Sequence, residues 1–241
     1  RNEKLKSSKV TIISRYEIFN IKMIQSSAPL RRVAAFTSLP VPRFLTGVLF
    51  DLDGTMVDTE FLSPLAWGEV LSELGVKIPE GDDLGRVISA PSMRGANASK
   101  IADHLISSYK IGPDHSPQWM VKRKRELAVE LVLTRGKIDL SATWFGGVSE
   151  GVRRLGAAMG VESVGLCTSN LRPIVAATLE AGEMSDAFGG GHTVQEDMLD
   201  VLGSPQLKPN PAPYLRALKL LGRPSNEVAA LEDSEVGVRS A

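Results

Sequence analysis

Short apolar runs alternate with longer amphipathic segments along most of this chain, and several of the latter close on glycine. Thr46-Gly47-Val48-Leu49-Phe50 is the first clear apolar run, and it breaks into Asp51-Leu52-Asp53-Gly54-Thr55. A β-rich run that ends in a glycine turn predicts a buried strand whose carboxyl end opens onto that turn. Leu62 to Leu74 follows, with apolar residues at Leu65, Val70, Leu71 and Leu74, and closes at Gly75. That is the pattern of a helix and its stop. Further helices are predicted from about Asn97 to Tyr109 and from about Gln118 to Thr134, the latter ending at Gly136. The result is roughly 85 residues of mainly helical sequence before the next strand, far longer than a plain βα connection. The block therefore reads as an inserted helical subdomain.

Beyond it the pattern returns to alternating strands and helices. Ser149 to Met159 reads as helix, Val161 to Cys167 as strand, and Leu171 to Ala181 as a helix stopped by Gly182. Ala187 to Val194 reads as a short glycine-rich strand. Pro211 to Leu221 is a helix with prolines at its start, where they are tolerated, and Val228 to Leu231 is a last short strand. Strands alternating with helices imply a parallel sheet covered on both faces. The fold class is thus α/β, a Rossmann-like parallel sheet core with an inserted all-helical cap. The expected domains are a leader over 1–44, a core over 45–60 and 144–241, and the cap over 61–143.

Composition narrows the classes without choosing among them. The 241 residues suffice for a buried core, with 43% apolar and 23% charged residues and a formal charge of zero. A neutral chain has no overall field for nucleic acid or an anionic membrane, and no apolar run approaches the length of a bilayer span. The single cysteine, Cys167, excludes an internal disulfide. From Met23 to Phe50 there is no Asp or Glu, while Arg31, Arg32 and Arg43 appear. An acid-poor leader with Arg and Ser has the composition of an organellar transit peptide, and equally that of a disordered tail. Cytoplasmic and organellar locations both stay open.

The chemistry gathers at predicted strand ends, where the site of a parallel α/β sheet forms. Asp51 and Asp53, two apart, share a face, and two close carboxylates are mutually costly unless a cation or a shared proton relieves them. A divalent metal held by oxygen ligands is the simplest relief. Gly54 permits the turn, and Thr55 offers a hydroxyl and an amide. Thr168, Ser169 and Asn170 follow the second strand at the start of a helix, where exposed amides and hydroxyls can cradle a phosphate. Lys208, on a proline-fixed loop, offers a cation to a transferring phosphoryl group. Glu232 and Asp233 add two carboxylates at the end of the last strand and complete an oxygen-rich metal site.

Asp51-Leu52-Asp53-Gly54-Thr55, Thr168, Lys208 and Glu232-Asp233, in that order, resemble the four motifs of the haloacid dehalogenase superfamily over residues 46 to 241. The resemblance implies that Asp51 is the nucleophile that becomes an aspartyl phosphate. It makes Asp53 the acid for the leaving group and then the base for water. Thr168 would bind the phosphoryl oxygens and Lys208 would neutralise charge. Mg²⁺ would be held by Asp51, the Asp53 carbonyl, Glu232 and Asp233. The second aspartate argues for phosphate-ester chemistry, since the family's transport ATPases carry threonine there and its dehalogenases lack it.

Asp58-Thr59-Glu60 with Ala66-Trp67, and Glu232-Asp233-Ser234 with Gly237, are similar to the β-phosphoglucomutase and sugar-phosphatase branch. In that light Trp67 is a candidate for the mouth of the site, and Arg94, in Ser92-Met93-Arg94, a candidate for a second anionic group. Ser63 stands where the mutases often have histidine, which favours a phosphatase. The expected substrate is a small phosphorylated metabolite of sugar-phosphate type. The expected state is a monomer with neither nucleic acid nor membrane as partner.

Plainer readings stand beside these. Thr168 and Ser169 serve equally well as helix caps, Trp67 as cap core and Arg94 as a solvated charge. Lys122-Arg123-Lys124-Arg125 reads as a solvated helix face. Family members continue past the position of Ala241 with further sheet, which predicts an open edge beside the last strand. A phosphomutase and a non-catalytic binding protein are the rival functions.

Overall fold

A computed structural model of the protein describes residues 11–14, 45–78, 84–88, 98–133, 138–198 and 206–241. The chain packs into two compact units, one of Arg1–Asp58 with Leu140–Ala241 and one of Thr59–Asp139. No helix among the described residues is long and apolar enough to cross a membrane.

Among the described residues the larger unit is built on five parallel strands: β1 (Thr11–Ser14), β2 (Gly47–Phe50), β3 (Val164–Cys167), β4 (His192–Thr193) and β5 (Val228–Glu232). Their spatial order is β1-β5-β2-β3-β4. β2, β3 and β5 are buried throughout, as strands covered on both faces must be. Alternation divides their side chains between two cores. Phe50, Leu52, Val164 and Leu166 pack with Val152, Val175, Leu179 and Phe188 on one face. Leu49, Cys167, Val228 and Ala230 pack with Tyr214, Ala217 and Leu221 on the other.

Two sequence expectations about strands change. Val161–Ser163 forms a 3-10 turn rather than strand, because the Ser163 N–H bonds Gly160 O at 2.9 Å, and β3 begins only at Val164. The run from Ala187 to Val194 shrinks to His192–Thr193. Gly190 N–H donates to Val164 O at 2.9 Å, and Gly191 follows at φ +92°, a conformation that glycine adopts readily and that breaks an extended run.

A third difference concerns the sheet edge. Thr11–Ser14 lie inside the stretch read as a leader, yet they pair in parallel with β5, Thr11 opposite Ala229 and Ser14 opposite Glu232. The outer side of β5, expected to be open, is therefore covered by a β-rich tetrad; an unpaired strand edge is the costlier alternative. The rest of the 1–44 stretch lies outside the described residues, and its reading as a transit peptide lies there with it.

The smaller unit contains α1 (Leu62–Glu73), α2 (Leu84–Ile88), α3 (Ala98–Tyr109) and α4 (Pro117–Leu133). Trp67, Val70 and Leu71 from α1 meet Ala102 and Leu105 from α3 and Met120 and Leu127 from α4. These residues recur at three- and four-residue spacings, so each helix presents one apolar stripe to a shared core. The sequence places the insert at 61–143, and the packing divides at Thr59 and Asp139. Returning to the larger unit, α5 (Val148–Met159), α6 (Arg172–Ala181), α7 (Ala212–Leu221) and α8 (Glu235–Ser240) complete the chain.

Candidate active site

β2 lies between β3 and β5, with Phe50 level with both Leu166 and Leu231. One step further on, the register brings Asp51, Cys167 and Glu232 side by side at the carboxyl ends of three strands. β2 is also where the chain's strand order switches direction, the place where α/β sheets form their crevice. The clustering of these residues is thus a consequence of strand pairing.

The turn after β2 is fixed by its own backbone. Gly54 N–H donates to Val57 O at 2.7 Å and Met56 N–H to Leu52 O at 2.9 Å. Gly54 sits at φ +76°, and a Cβ there would run into the Asp233 carboxylate, so any side chain at this position is strained and displaces that carboxylate. The Thr55 hydroxyl lies 3.2 Å from Asp51 Oδ2 and 3.3 Å from Asp233 Oδ1, and its one proton serves one carboxylate at a time.

Lys208 spans the row of strand ends. Its Nζ donates to Asp51 Oδ1 at 2.6 Å, Glu232 Oε1 at 2.5 Å and the Cys167 carbonyl at 2.8 Å, with only 6% of the side chain exposed. All three ammonium donors are then used, which fixes a normally mobile side chain. The loop that carries it is anchored at Asn210, whose Oδ1 accepts from Ala212 N–H at 2.9 Å as α7 begins. Burial works against the Lys208 charge, but Asp51 and Glu232 outweigh it and hold the ammonium protonated well above the usual range. Burial pushes the Asp51 carboxyl up to about 7; Lys208 pulls it down, while Glu232 and Asp53 push it further up.

One partner was not legible in the sequence. Tyr214, 2% exposed on α7, donates its hydroxyl to Glu232 Oε1 at 2.6 Å. Its phenol is held well above its ordinary pKa by burial and then by Glu232, so it stays a donor. In sequence it is one aromatic on an apolar helix face. Only the fold shows that this face lies beside the end of β5.

Asp53 is approached from the other side. Thr168 Oγ1 donates to Asp53 Oδ2 at 3.2 Å, and Asn170 Nδ2 lies 3.0 Å and 3.2 Å from the two carboxylate oxygens. Thr168 does not cap α6. Thr168 Oγ1 accepts from Asn170 N–H, and the first-turn amide of Arg172 is taken by both oxygens of Glu196 at 3.0 Å. A carboxylate at a helix amino end is favourable for the same reason a phosphate is. Asp197 reinforces the strap by accepting from Arg172 Nη2 at 2.6 Å and from Val194 N–H at 3.1 Å.

The donor set has the make-up of a divalent-cation site. One carboxylate oxygen each from Asp51, Glu232 and Asp233 lies within 4.8 Å of the others. Lys208 pairs with two of these three carboxylates, Asp51 and Glu232, and the buried Glu232 Oε2 has no hydrogen-bond partner among the described residues. Hard oxygens in excess of positive charge fit a hard cation such as Mg²⁺. Gly237 makes room for this cluster, since a Cβ there would collide with the Glu232 carboxylate.

One expected site residue lies elsewhere. Trp67 is fully buried in the core of the helical unit, so it contributes packing there and is withdrawn as a substrate contact. Arg94 lies outside the described residues.

A family model of haloacid dehalogenase-like hydrolases matches residues 45–241, most of the chain. The chain belongs to the haloacid dehalogenase-like hydrolases. It is 28% identical over 202 residues to protein CbbY of Rhodobacter capsulatus, covering 82% of this chain and 81% of that one. It is 24% identical over 199 residues to the fructose-1-phosphate phosphatase YqaB of Escherichia coli K12, covering 81% and 90%. In fold it is similar to the crystal structure of CbbY from Rhodobacter sphaeroides in complex with phosphate. That likeness has a TM-score of 0.60 at 22% identity, over 81% of each chain. The parallel sheet and its helices are therefore the Rossmann-like core of this family.

Proposed function

We propose that this hydrolase is a Mg²⁺-dependent phosphatase of a small phosphorylated metabolite, of sugar-phosphate type. The observation that carries the reading is the pairing of two differently held carboxylates at one strand end. Asp51 is clamped by Lys208 and Thr55, while Asp53, two residues on, is held by Thr168 and Asn170. Such asymmetry suits one carboxylate to attack and the other to move protons. The named activity of YqaB, fructose-1-phosphate hydrolysis, supports the substrate class.

In this reading an Asp51 oxygen attacks phosphorus, and the bond from phosphorus to the ester oxygen breaks. Asp53 gives its proton to that leaving oxygen, so the alcohol departs neutral. Asp53 then takes a proton from water, whose oxygen attacks the aspartyl phosphate. The bond from phosphorus to Asp51 breaks, inorganic phosphate leaves, and both carboxyl groups return to their starting state. Two easier steps replace one hard one. Lys208 offsets the repulsion between an anionic nucleophile and an anionic ester, and Thr168 offers its hydroxyl to the phosphoryl oxygens. Asp51, the Asp53 carbonyl, Glu232 and Asp233 would hold Mg²⁺, which supplies further positive charge to the phosphoryl oxygens.

The test is phosphate release by the purified chain from a panel of sugar phosphates that includes fructose 1-phosphate, with Mg²⁺ and after chelation. Turnover that needs the metal supports the reading. Equal rates with and without the metal would overturn the metal assignment. Isomerisation of β-glucose 1-phosphate without net phosphate release would replace the phosphatase by a mutase.

A further inference from the structure

Asn170 stands next to the phosphate-binding hydroxyl of Thr168 and was expected to touch substrate. Its hydrogen bonds indicate something else. Its backbone N–H donates to Thr168 Oγ1 at 3.1 Å, and its carbonyl accepts from Gln195 N–H at 3.0 Å. Its side-chain Oδ1 accepts from Leu171 N–H at 2.8 Å. That last bond fixes which end of the amide is which. Turning the group over would set NH₂ against a backbone N–H and a carbonyl against a carboxylate. The NH₂ end is therefore the one that faces Asp53, astride both of its oxygens.

A side chain tied at both ends in this way fixes the plane of the carboxylate it faces. Proton transfer depends on that plane, because the proton must travel along a lone pair toward an oxygen within hydrogen-bond reach. We propose that Asn170 is a positioning residue for Asp53: it orients the carboxyl group that protonates the leaving oxygen and later deprotonates water, and does not bind substrate. This rests on the phosphatase reading above, and its test separates the two.

The experiment compares kcat/KM of wild type and Asn170→Ala on two esters in saturating Mg²⁺. Nitrophenyl phosphate expels a stabilised phenolate that needs little protonation. Glycerol phosphate expels an alkoxide that must receive a proton. A lost acid alignment takes away part of the roughly hundredfold or greater contribution of general-acid catalysis. The expected loss in kcat/KM is about tenfold or more for glycerol phosphate and less than about threefold for nitrophenyl phosphate. With nitrophenyl phosphate, kcat also falls while kcat/KM holds, because the water-attack step still needs Asp53, and phosphoenzyme accumulates.

Asn170→Ser, which keeps a donor on a shorter side chain, recovers part of the glycerol phosphate rate. It also serves as the test variant if the alanine variant does not fold. An equal loss on both esters, carried by a raised KM, would make Asn170 a substrate contact and overturn the proposal. A wild type inert toward every ester would overturn the phosphatase reading and this proposal together.

Discussion

The two units of this chain bury their polar groups in opposite ways. In the α/β unit, Asp51, Thr168 and Glu232 are buried, and Lys208 stands nearly dry between two carboxylates. In the helical unit the core is apolar, with Trp67, Leu71, Leu105, Met120 and Leu127 fully buried. Arg123 lies toward the surface of that unit, bonded to Glu73, Glu126 and Glu130. Desolvated charge is costly to assemble and strong once paired; exposed charge is cheap and weak. The unit that keeps its charges out of water is therefore the one equipped to act on a phosphate ester, while the described core of the other is apolar packing.

The sharpest way to break this contrast is to remove one buried charge. Asp51→Asn keeps the shape and removes a buried charge whose desolvation outweighs its pairing with Lys208, so the protein should fold at least as well. Hydrolysis of an aryl phosphate should fall by about a thousandfold or more, as expected for loss of a nucleophile. Full activity in this variant would end the aspartyl-phosphate reading.

The same carboxylate predicts how stability responds to pH. Burial lifts Asp51 from 3.8 to about 7. A raised acid binds its proton more tightly in the folded chain, so its contribution is complete below its unfolded value and is lost as pH rises through the folded one. Without metal, Tm should drop by roughly 5 °C between about pH 5 and pH 8, and the Asp51→Asn variant should not show that drop. Mg²⁺ binds the ionised carboxylates, so the rise in Tm it causes should grow across the same range. A metal-induced rise that is flat with pH would count against Asp51 as a ligand.

Local features of this site could be read from the sequence, and distant ones could not. Asp51-Leu52-Asp53-Gly54-Thr55 is legible because one strand and one turn place it, and the helix stops at Gly75 and Gly182 are legible for the same reason. Tyr214 is not, because its value depends on α7 lying against the end of β5, a pairing made by residues far apart in the chain. The β1 strand is hidden likewise: Thr11–Ser14 have β character, but only the exposed side of β5 turns it into a fifth strand. Trp67 misled in the other direction. An aromatic near a motif looks the same in sequence whether it faces a ligand or a core, and burial decides.

Tyr214 tests that distant link with a smaller effect. Tyr214→Phe removes the donor to Glu232 Oε1 while leaving Lys208 on the same oxygen. Partners behind a metal ligand typically contribute tenfold to a hundredfold in affinity. About a tenfold rise in the Mg²⁺ concentration for half-maximal activity is expected, at nearly unchanged kcat in saturating metal. No change in metal dependence would make Tyr214 a packing residue only.

The smallest effect belongs to the helical unit. Arg123 was read as part of a solvated basic run, yet it joins α1 to α4 through Glu73 at 2.7 Å, with further bonds to Glu126 at 2.9 Å and Glu130 at 3.2 Å. Its side chain is 26% exposed and its partners 37% to 44%, so water screens each pair, and a network of this kind stabilises by about 1 kcal/mol or less. Arg123→Ala should lower Tm by about 3 °C or less, and added salt should shrink the difference, while kcat/KM stays that of wild type. A loss of activity comparable to that of Asp51→Asn would show that exposed charge in the helical unit contributes to catalysis, and the contrast between the two units would fail.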